Sequence, residues 1–455
     1  MKIMKTKENK LVNNTIMMYL MTVAKLVIPL ISLPYLTRVL SVDCYGSVAF
    51  VKSLMSYFQI FIDFGFLLSA TKDIIGYLKK GETPNKVVGD SLYAQIILCL
   101  IAIVAGVVCI FCFDILRGFE LYTMLSLVTC LLSIFLFEYV FKAYEQMGKI
   151  AIRYVVMKLI ALILTLIFVK SDKDILLIPI FDIVASLVAI VLVYLQLKKL
   201  GIKIDFDFKR IKDAWKSLSK SFVYFISNFA TTAFSALNTI IIGIALNKSD
   251  VAYWSVALQL VGVVQALYNP IITSAHPTMI RTKNLKTIHK IMLIYMPLIF
   301  VGCGLILLLG DLAVTLVFTE SYLMSSTLLK WLIPLLIFSF PSMLYGWPCL
   351  DCINKAKANT MSTIIGACIQ VAGLGFIAVI GRFNLISIAI VRNVSEMIFC
   401  VIRMSIVYKN KKLFVGGATT EPKEEQGGDN KSSEFEKHEL TNEIISANMD
   451  DNNNI

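Results

Sequence analysis

Charged side chains are scarce in this sequence. Asp, Glu, Lys and Arg together make up 16% of its 455 residues, whereas hydrophobic residues make up 57%. Soluble domains carry about 25% charged residues, and the mean hydropathy of +0.76 also lies far outside their range. This composition excludes a soluble globular protein and identifies an integral membrane protein.

The residue patterns of common enzyme and metal sites are also missing. The sequence contains no HExxH, P-loop, GxSxG or paired acidic metal motif, and its three histidines are far apart. A Cys-x-x-Cys at Cys349 and Cys352 has no neighbouring histidine in the sequence. Most other cysteines lie in apolar runs, as small buried residues rather than disulfide partners. We therefore expect no enzymatic activity, no cofactor and no metal.

Long apolar runs are what the sequence does contain. A membrane-spanning helix needs about 20 mostly apolar residues. Twelve runs reach this length, at roughly 13–38, 46–70, 91–113, 119–141, 151–170, 175–196, 218–246, 251–280, 289–310, 331–350, 359–380 and 384–408. They predict an all-α polytopic membrane protein with twelve transmembrane helices.

Lysine and arginine are concentrated in alternate connections between these runs. The longest basic connection, 197–220, contains eight of them, whereas the intervening connections contain one or two each. Because basic residues favour the cytoplasmic side, the pattern predicts that both chain termini are cytoplasmic. The outward connections are short, the longest being about 311–330, so no extracytoplasmic domain is expected.

The predicted layout has five parts. A cytoplasmic N-terminus at 1–12 precedes a six-helix bundle at 13–197, and a cytoplasmic linker at 198–217 precedes a second six-helix bundle at 218–412. The remaining residues, 413–455, form an acidic tail of low hydrophobicity that we expect to be disordered in the cytoplasm.

A short motif occurs once in each half of the chain. Tyr45-x-Ser-Val-Ala and Tyr253-x-Ser-Val-Ala share four residues, and each opens the second span of its half. A chance match in an apolar chain is the alternative, but the equal topological position favours duplication. Two copies of six spans have the same orientation, which is typical of secondary transporters with a substrate path between the halves.

Polar residues recur at helical spacing on spans 1 and 7. A polar stripe on a spanning helix must face protein or water. Such a stripe either packs against a neighbouring helix or lines a hydrated cavity. Its presence on equivalent helices of both halves favours the cavity. The stripe of span 1 consists of Asn14, Thr22, Lys25, Pro29 and Ser32, and that of span 7 of Ser221, Tyr224, Asn228, Thr231, Ser235 and Asn238.

Lys25 is the deepest cation of span 1. It lies about 18 Å into the span at about 1.5 Å per residue, where a lysine facing lipid costs at least about 2.5 kcal/mol. It either lines the cavity or neutralises Asp63 or Asp182. Asp63, on span 2, either forms a structural ion pair or exchanges a proton during transport. Arg38 lies at the outer end of span 1, where interfacial anchoring is a sufficient role.

Other charges within spans have simpler explanations. Lys158 and Glu138 are placed near the cytoplasmic ends of their spans, from which their side chains can reach the interface. Arg392 and Glu396 are four residues apart on span 12 and can neutralise each other. His276 is expected to have a structural role.

Three segments of the chain match a known family pattern. They are 29–74, which contains the specific PYLTRVL…YG…DFG pattern, 236–271 and 317–332. These segments resemble the bacterial polysaccharide flippases for O-antigen and capsule repeat units. Those flippases belong to the multidrug/oligosaccharidyl-lipid/polysaccharide (MOP) exporter superfamily. The resemblance covers about residues 10–410. Ser41 departs from it, since glycine often follows RVL in the family, and this alters only a turn.

The resemblance implies a V-shaped transporter of two pseudo-symmetric six-helix bundles around a cationic central cavity. Its substrate would be an oligosaccharide on a polyprenyl diphosphate, moved across the bacterial inner membrane from the cytoplasmic to the outer leaflet by alternating access. Membrane lipids, a coupling H⁺ or Na⁺ and polysaccharide polymerase machinery are the further partners considered, and no nucleic acid is expected. The candidate substrate-binding residues are Lys25, Arg38, Asn228, Ser235 and Asn238, and the candidate ion-coupling residues are Asp63 and Asp182.

Rival functions remain open. A multidrug cation exporter of the same superfamily would need acids in its cavity, whereas the deepest charge of span 1 is Lys25. A membrane glycosyltransferase or polysaccharide polymerase generally needs a substantial outward loop, and the outward connections here are short. A scaffold role has no support in the sequence.

Overall fold

The computed structural model describes residues 2–204 and 211–414, with the side chains of 2–13, 15, 211–212, 227 and 230–235 left out. Within these ranges the chain forms sixteen α-helices joined by short turns. They are α1 (Lys2–Val39), α2 (Val42–Asp63), α3 (Phe66–Lys79), α4 (Asn85–Cys112), α5 (Glu120–Leu132), α6 (Glu138–Ala143), α7 (Met147–Phe168), α8 (Leu177–Lys199), α9 (Ile211–Ala245), α10 (Lys248–Thr282), α11 (Leu285–Val317), α12 (Leu323–Trp331), α13 (Ile333–Tyr345), α14 (Trp347–Cys352), α15 (Ala356–Val379) and α16 (Leu385–Lys409).

The helices agree with the predicted spans. Eleven stretches of the described chain are long and apolar enough to cross a membrane, and each overlaps one predicted span. The remaining predicted span, 218–246, lies in α9, a single helix of 35 residues. The prediction of an all-α polytopic membrane protein is therefore confirmed. The predicted acidic tail lies, beyond Phe414, outside the described residues.

Three spans are not continuous helices. The second consists of α2 and α3, separated by Phe64 (φ 40°) and Gly65 (φ 79°). The fourth consists of α5 and α6, separated by a 3₁₀ turn and by Phe137 (φ 45°). The tenth consists of α13 and α14, with a break between them at Gly346. Hydropathy does not reveal such breaks, because an apolar residue in an irregular turn scores the same as one in a helix.

The break in the second span depends on Gly65. Its backbone lies in the left-handed region, which glycine adopts without steric cost. A Cβ at this position would also lie 2.6 Å from the Cβ of Tyr224 on α9. Span 2 can therefore bend here and still pack against α9 only because residue 65 has no side chain.

The breaks support the predicted duplication. Phe137 and Gly346 interrupt spans 4 and 10, which are equivalent in the two halves, and are 209 positions apart. Tyr45 and Tyr253 of the repeated motif are 208 positions apart. The nearly equal offsets of a sequence motif and a backbone break favour two related six-span halves.

The two ends of the helical bundle differ in charge. The basic end contains the lysine-rich connections, and two of these meet where the N–H of Lys203 donates to Asn85 Oδ1 (3.0 Å). The opposite end contains the other connections, two of which meet where the N–H of Ser41 donates to Asp172 Oδ1 (2.8 Å). Charge alternation along the chain therefore becomes charge separation between two ends.

The connection predicted at 311–330 is mostly helical. α11 continues to Val317 and α12 begins at Leu323, so only 318–322 lie between them. The prediction placed the ends of the apolar runs too early, since helices extend beyond the apolar core into more polar sequence.

The two halves of the chain meet through α2, α9 and α10. At the opposite end α2 and α10 approach so closely that a Cβ on Gly46 would clash with the carbonyl oxygen of Lys248. α9 crosses between the halves: its beginning packs against α3 and α4, and its end packs against α15. This path gives the seventh span contacts with both halves, although the sequence places it in the second.

Candidate substrate path and its charged side chains

α1 places Lys25 at an exposed position within a spanning helix. Its ammonium group lies 5.3 Å from the centre of the Tyr154 ring on α7, a cation–π contact. α1 continues through Pro29, which has no N–H to donate to the carbonyl of Lys25. A cation beside a backbone acceptor that lacks its helical donor needs water or a polar ligand, which lipid cannot supply.

Lys158 is not near the end of its span, and this part of the sequence interpretation is wrong. It is eleven residues beyond the first residue of α7, a helix of 22 residues, and therefore lies at mid-span. Its Nζ donates to Asp182 Oδ1 on α8 at 2.9 Å. Asp182 thus has a lysine partner, but the partner is Lys158, while Lys25 contacts Tyr154.

Lys52 joins these charges and was missed by the sequence analysis. It lies on an exposed face of α2 and interacts electrostatically with Lys158 and Asp182. Tyr154 interacts with the same ion pair and contacts Lys25, so it connects the group. We refer to Lys25, Lys52 and Lys158 as the lysine cluster. The sequence feature that could have revealed Lys52 is the presence of a lysine inside the apolar run 46–70.

Asp63 lies at the end of α2, where the second span breaks. It is exposed, and its Oδ1 accepts a hydrogen bond from Gln59 Nε2 (3.0 Å). The same amide group donates to Ser133 Oγ (2.9 Å), at the break of the fourth span. The candidate ion-coupling carboxylate therefore lies beside two interrupted helices.

Some residues of the polar stripe of α9 pack against other helices, and others are exposed. Ser221 is buried and shares a hydrogen bond with Ser69 on α3. Asn238 is also buried, and its Oδ1 accepts from Gln370 Nε2 on α15 (2.7 Å). Asn228, between them, is exposed. The side chains of Thr231 and Ser235 lie outside the described residues.

Arg38 joins the two halves at the opposite end. Its Nε donates to the carbonyl of Val317 (3.2 Å) and its Nη2 to that of Leu316, the last residues of α11. A cation at a helix C-terminus is stabilised by the carbonyl groups that have no helical donor. Arg38 therefore makes specific contacts beyond the interfacial anchoring that the sequence suggested.

Two further contacts hold the halves together beside Arg38. Ser249 Oγ donates to the carboxylate of Asp43. Lys248 Nζ lies 4.9 Å from the centre of the Phe119 ring and 3.4 Å from the carbonyl of Arg117. We call these contacts, with those of Arg38, the end contacts. They close the opposite end between the first and second halves.

Two further pairs of ionisable groups lie within the spans. Arg392 and Glu396 form the expected i,i+4 pair, with Nη1 and Oε2 3.2 Å apart. His276 Nε2 lies 2.9 Å from Asp351 Oδ2, which connects α10 to α14. The first pair lies within α16, and the second holds two helices of the second half together.

Comparison with known proteins defines the relationship of the chain. Residues 11–283, more than half of the sequence, match a family model described as "Polysaccharide biosynthesis protein". The chain belongs to this family. Two curated relatives carry the name "Putative O-antigen transporter". The one from Shigella dysenteriae is 25% identical over 366 residues, 78% of this chain and 90% of its own. The one from Escherichia coli strain K12 is 26% identical over 318 residues, 68% of this chain and 75% of its own.

Solved structures share the fold of this polysaccharide biosynthesis family member. An inward-facing multidrug resistance transporter of the MATE family, in the MOP superfamily, has a TM-score of 0.67 at 13% identity and covers 86% of this chain and 95% of its own. The lipid II flippase MurJ, in an inward closed conformation, has a TM-score of 0.58 at 11% identity and covers 87% of each chain. The protein is thus a multi-pass membrane protein with the fold that these two solved structures share.

Proposed function

We propose that this protein is a lipid-linked oligosaccharide flippase. It carries polyprenyl-diphosphate-linked repeat units of O-antigen or capsule from the cytoplasmic to the outer leaflet. The observation that carries the proposal is the lysine cluster, which lies within the spans of the first half. The printed names of the relatives, O-antigen transporters and a lipid II flippase, support the same class of substrate.

The charge of the lysine cluster favours an anionic substrate. Asp182 pairs with Lys158, so Lys25 and Lys52 add positive charge that this carboxylate does not neutralise. A lysine at the centre of a bilayer costs about 2.5–3.5 kcal/mol if it faces lipid. Water and an anionic ligand remove this cost, and a diphosphate accepts strong charge-assisted hydrogen bonds from ammonium groups. The same cluster would repel organic cations, the substrates of the rival exporter.

We place the basic end in the cytoplasm, where positively charged connections are preferred. The end contacts then close the outer side of the molecule, so substrate enters from the cytoplasmic side in this conformation. Release to the outer leaflet requires that Arg38 leave the end of α11 and that Asp43 leave Ser249. Rocking of the two halves about their interface supplies this change.

Asp63 is our candidate for coupling to H⁺ or Na⁺. Asp182 is already paired with Lys158, whereas Asp63 is exposed and accepts a hydrogen bond from the neutral Gln59. It also lies at the break between α2 and α3. Binding of a cation there would change the charge at a point where the second span can bend.

The decisive test is a flipping assay with the purified full chain in proteoliposomes. A fluorescent oligosaccharide on polyprenyl diphosphate should cross the bilayer, whereas the same oligosaccharide on an uncharged polyprenyl ether should not. Ethidium serves as the cationic probe, and we expect no transport of it. Ethidium transport without movement of the diphosphate lipid would replace this proposal by the multidrug cation exporter.

A further inference from the structure

A groove runs along the surface between α7 and α8, separate from the lysine cluster. Its floor is formed by Ala185 and Ala189, which are one helical turn apart on α8 and almost fully buried. Its apolar walls include Val156 and Leu192. Small residues on the floor and larger ones on the rims give the groove an apolar surface that a hydrocarbon chain can contact.

The length of the groove matches one leaflet of a bilayer. On α7 it extends from Lys149 at the basic end to Ile160. Eleven residues of helix span about 16 Å, and half of the hydrocarbon core of a bilayer is about 15 Å. The groove therefore reaches from the interface on the basic side to about the middle of the membrane.

Polar groups without hydrogen bonds lie at the basic end of this groove. Arg153 is 5% exposed, and its Nη1 and Nη2 have no hydrogen-bond partner in the described structure. Glu138 Oε1 forms an ion pair with Nη2 at 3.8 Å, too long for a hydrogen bond, and the centre of the Phe141 ring lies 5.3 Å from the guanidinium carbon. Burying an N–H donor without an acceptor is energetically costly, so a ligand that accepts hydrogen bonds from Arg153 is favoured.

The groove is on the far side of α7 from the lysine cluster. Arg153 and Lys158 are five residues apart, which at about 100° per residue places them about 140° apart around the helix. Lys158 accordingly pairs with Asp182, whereas Arg153 lines the groove. A ligand in the groove would not compete with one at the lysine cluster.

We propose that the α7–α8 groove binds one anionic glycerophospholipid of the leaflet at the basic end. Its phosphate accepts hydrogen bonds from Arg153 and Lys149, and one acyl chain lies over Ala185 and Ala189. Free phosphate would satisfy the arginine but leave the apolar channel empty. A zwitterionic lipid would fill the channel but place its own cation beside Lys149. An anionic lipid satisfies both parts.

Native mass spectrometry of the purified full chain in detergent tests this site. The probes are phosphatidylglycerol, phosphatidylcholine and inorganic phosphate. Wild type should retain one phosphatidylglycerol, and Arg153→Met should lower its occupancy about tenfold, since hydrogen bonds to a charged group are lost. Val188→Trp should do the same by filling the groove from a rim position that is 46% exposed. Lys198→Gln, an exposed basic residue outside the lining, is the matched control and should bind as wild type does.

Each alternative has its own result. Equal retention of phosphatidylglycerol by wild type and Val188→Trp would overturn the proposal, even if Arg153→Met does not fold. Equal retention of phosphatidylcholine would show a groove without headgroup recognition. A rise in Tm with inorganic phosphate as large as that with phosphatidylglycerol would show a phosphate site only. Both of these results also contradict an anionic lipid site.

Discussion

Tyr45 and Tyr253, the equivalent tyrosines of the two repeats, contact the same ring, that of Tyr322. Both contacts are edge-on, with ring centroids 6.2 Å and 6.1 Å from Tyr322. Tyr322 is fully buried at the opposite end. Each copy of the motif therefore contributes one tyrosine that packs against Tyr322. These aromatic contacts hold the two repeats together beside the end contacts.

Replacing Tyr322 by alanine should weaken closure at the opposite end. Cys44, next to Tyr45, is 6% exposed, and its reaction with a maleimide reports opening. Loss of two aromatic contacts, each contributing about 0.5–1.5 kcal/mol, should accelerate labelling about fivefold or more. The measurement uses a background with Cys112→Ser and Cys368→Ser, since these two cysteines are exposed. Tyr194→Ala, which removes a tyrosine that is 64% exposed on α8, should leave the rate unchanged. Equal rates for all three proteins would show that Tyr322 does not hold this end closed.

The exposed Cys112 provides a test of orientation. It is the last residue of α4, at the opposite end, which we place outside the cytoplasm. A membrane-impermeant maleimide added to spheroplasts should label Cys112 in the otherwise native protein. Cys112→Ser should abolish this label, because the other exposed cysteine, Cys368, lies within the α15 span. Labelling only after cell lysis would reverse the orientation proposed here.

The lysine cluster should be required for transport and dispensable for insertion. Lys25→Ala and Lys52→Ala should each lower surface polysaccharide about tenfold or more, since each removes a charge-assisted hydrogen bond to diphosphate. Lys25→Arg should retain part of the activity, because it keeps the charge. The readout is polysaccharide on the cell surface of a strain that lacks its own flippase.

Protein level and a distant lysine provide the controls for the lysine variants. Each variant should be present in the membrane at the level of wild type. Lys79→Ala, at an exposed position at the end of α3, should transport normally. Normal surface polysaccharide with Lys25→Ala and Lys52→Ala would exclude the cluster from substrate binding.

Two variants distinguish the contribution of the Lys158–Asp182 ion pair to stability from that of Lys158 to transport. Lys158→Ala leaves Asp182 without its partner and should lower Tm, whereas Lys158→Ala combined with Asp182→Asn should restore much of it. Since both side chains are about one-third exposed, we expect a coupling of about 1 kcal/mol at most. If Lys158 also binds substrate, the stable double variant should still fail to transport. A double variant that transports normally would confine Lys158 to a structural role.

Gly65 should be essential for the break in the second span. Gly65→Ala places a Cβ against Tyr224 and forces an L-residue into the left-handed region, which costs about 1–3 kcal/mol. Tm of the purified protein should fall. Gly76→Ala, in the middle of α3 with open space around it, should leave Tm unchanged or raise it. A Tm for Gly65→Ala equal to that of Gly76→Ala would show that this break does not depend on glycine.

The hydropathy of the sequence determined the architecture. Twelve apolar runs predicted the spans, and each overlaps a helix or an interrupted pair of helices in the described chain. The repeated Tyr-x-Ser-Val-Ala predicted two related halves. The span predictions succeed because insertion into a bilayer depends on the local sum of apolar residues, which is visible without knowing any tertiary contact.

The candidate site was only partly visible in the sequence. Lys25 was recognised because a cation in mid-span is costly wherever its partners lie. Lys158 was misjudged and Lys52 was missed, because their meaning depends on Asp182, which lies on a different helix. Periodicity placed the α9 stripe on one face, yet could not show that Ser221 and Asn238 contact helices on either side.

The sequence by itself therefore determined the number of spans, their alternation and the presence of a cation deep within span 1. Tertiary structure decided which charges meet, where spans 2, 4 and 10 break, and that the groove between α7 and α8 ends at Arg153. The physical reason is the range of the interactions. Bilayer insertion acts on consecutive residues, whereas ion pairs, aromatic contacts and grooves join residues that only folding brings together.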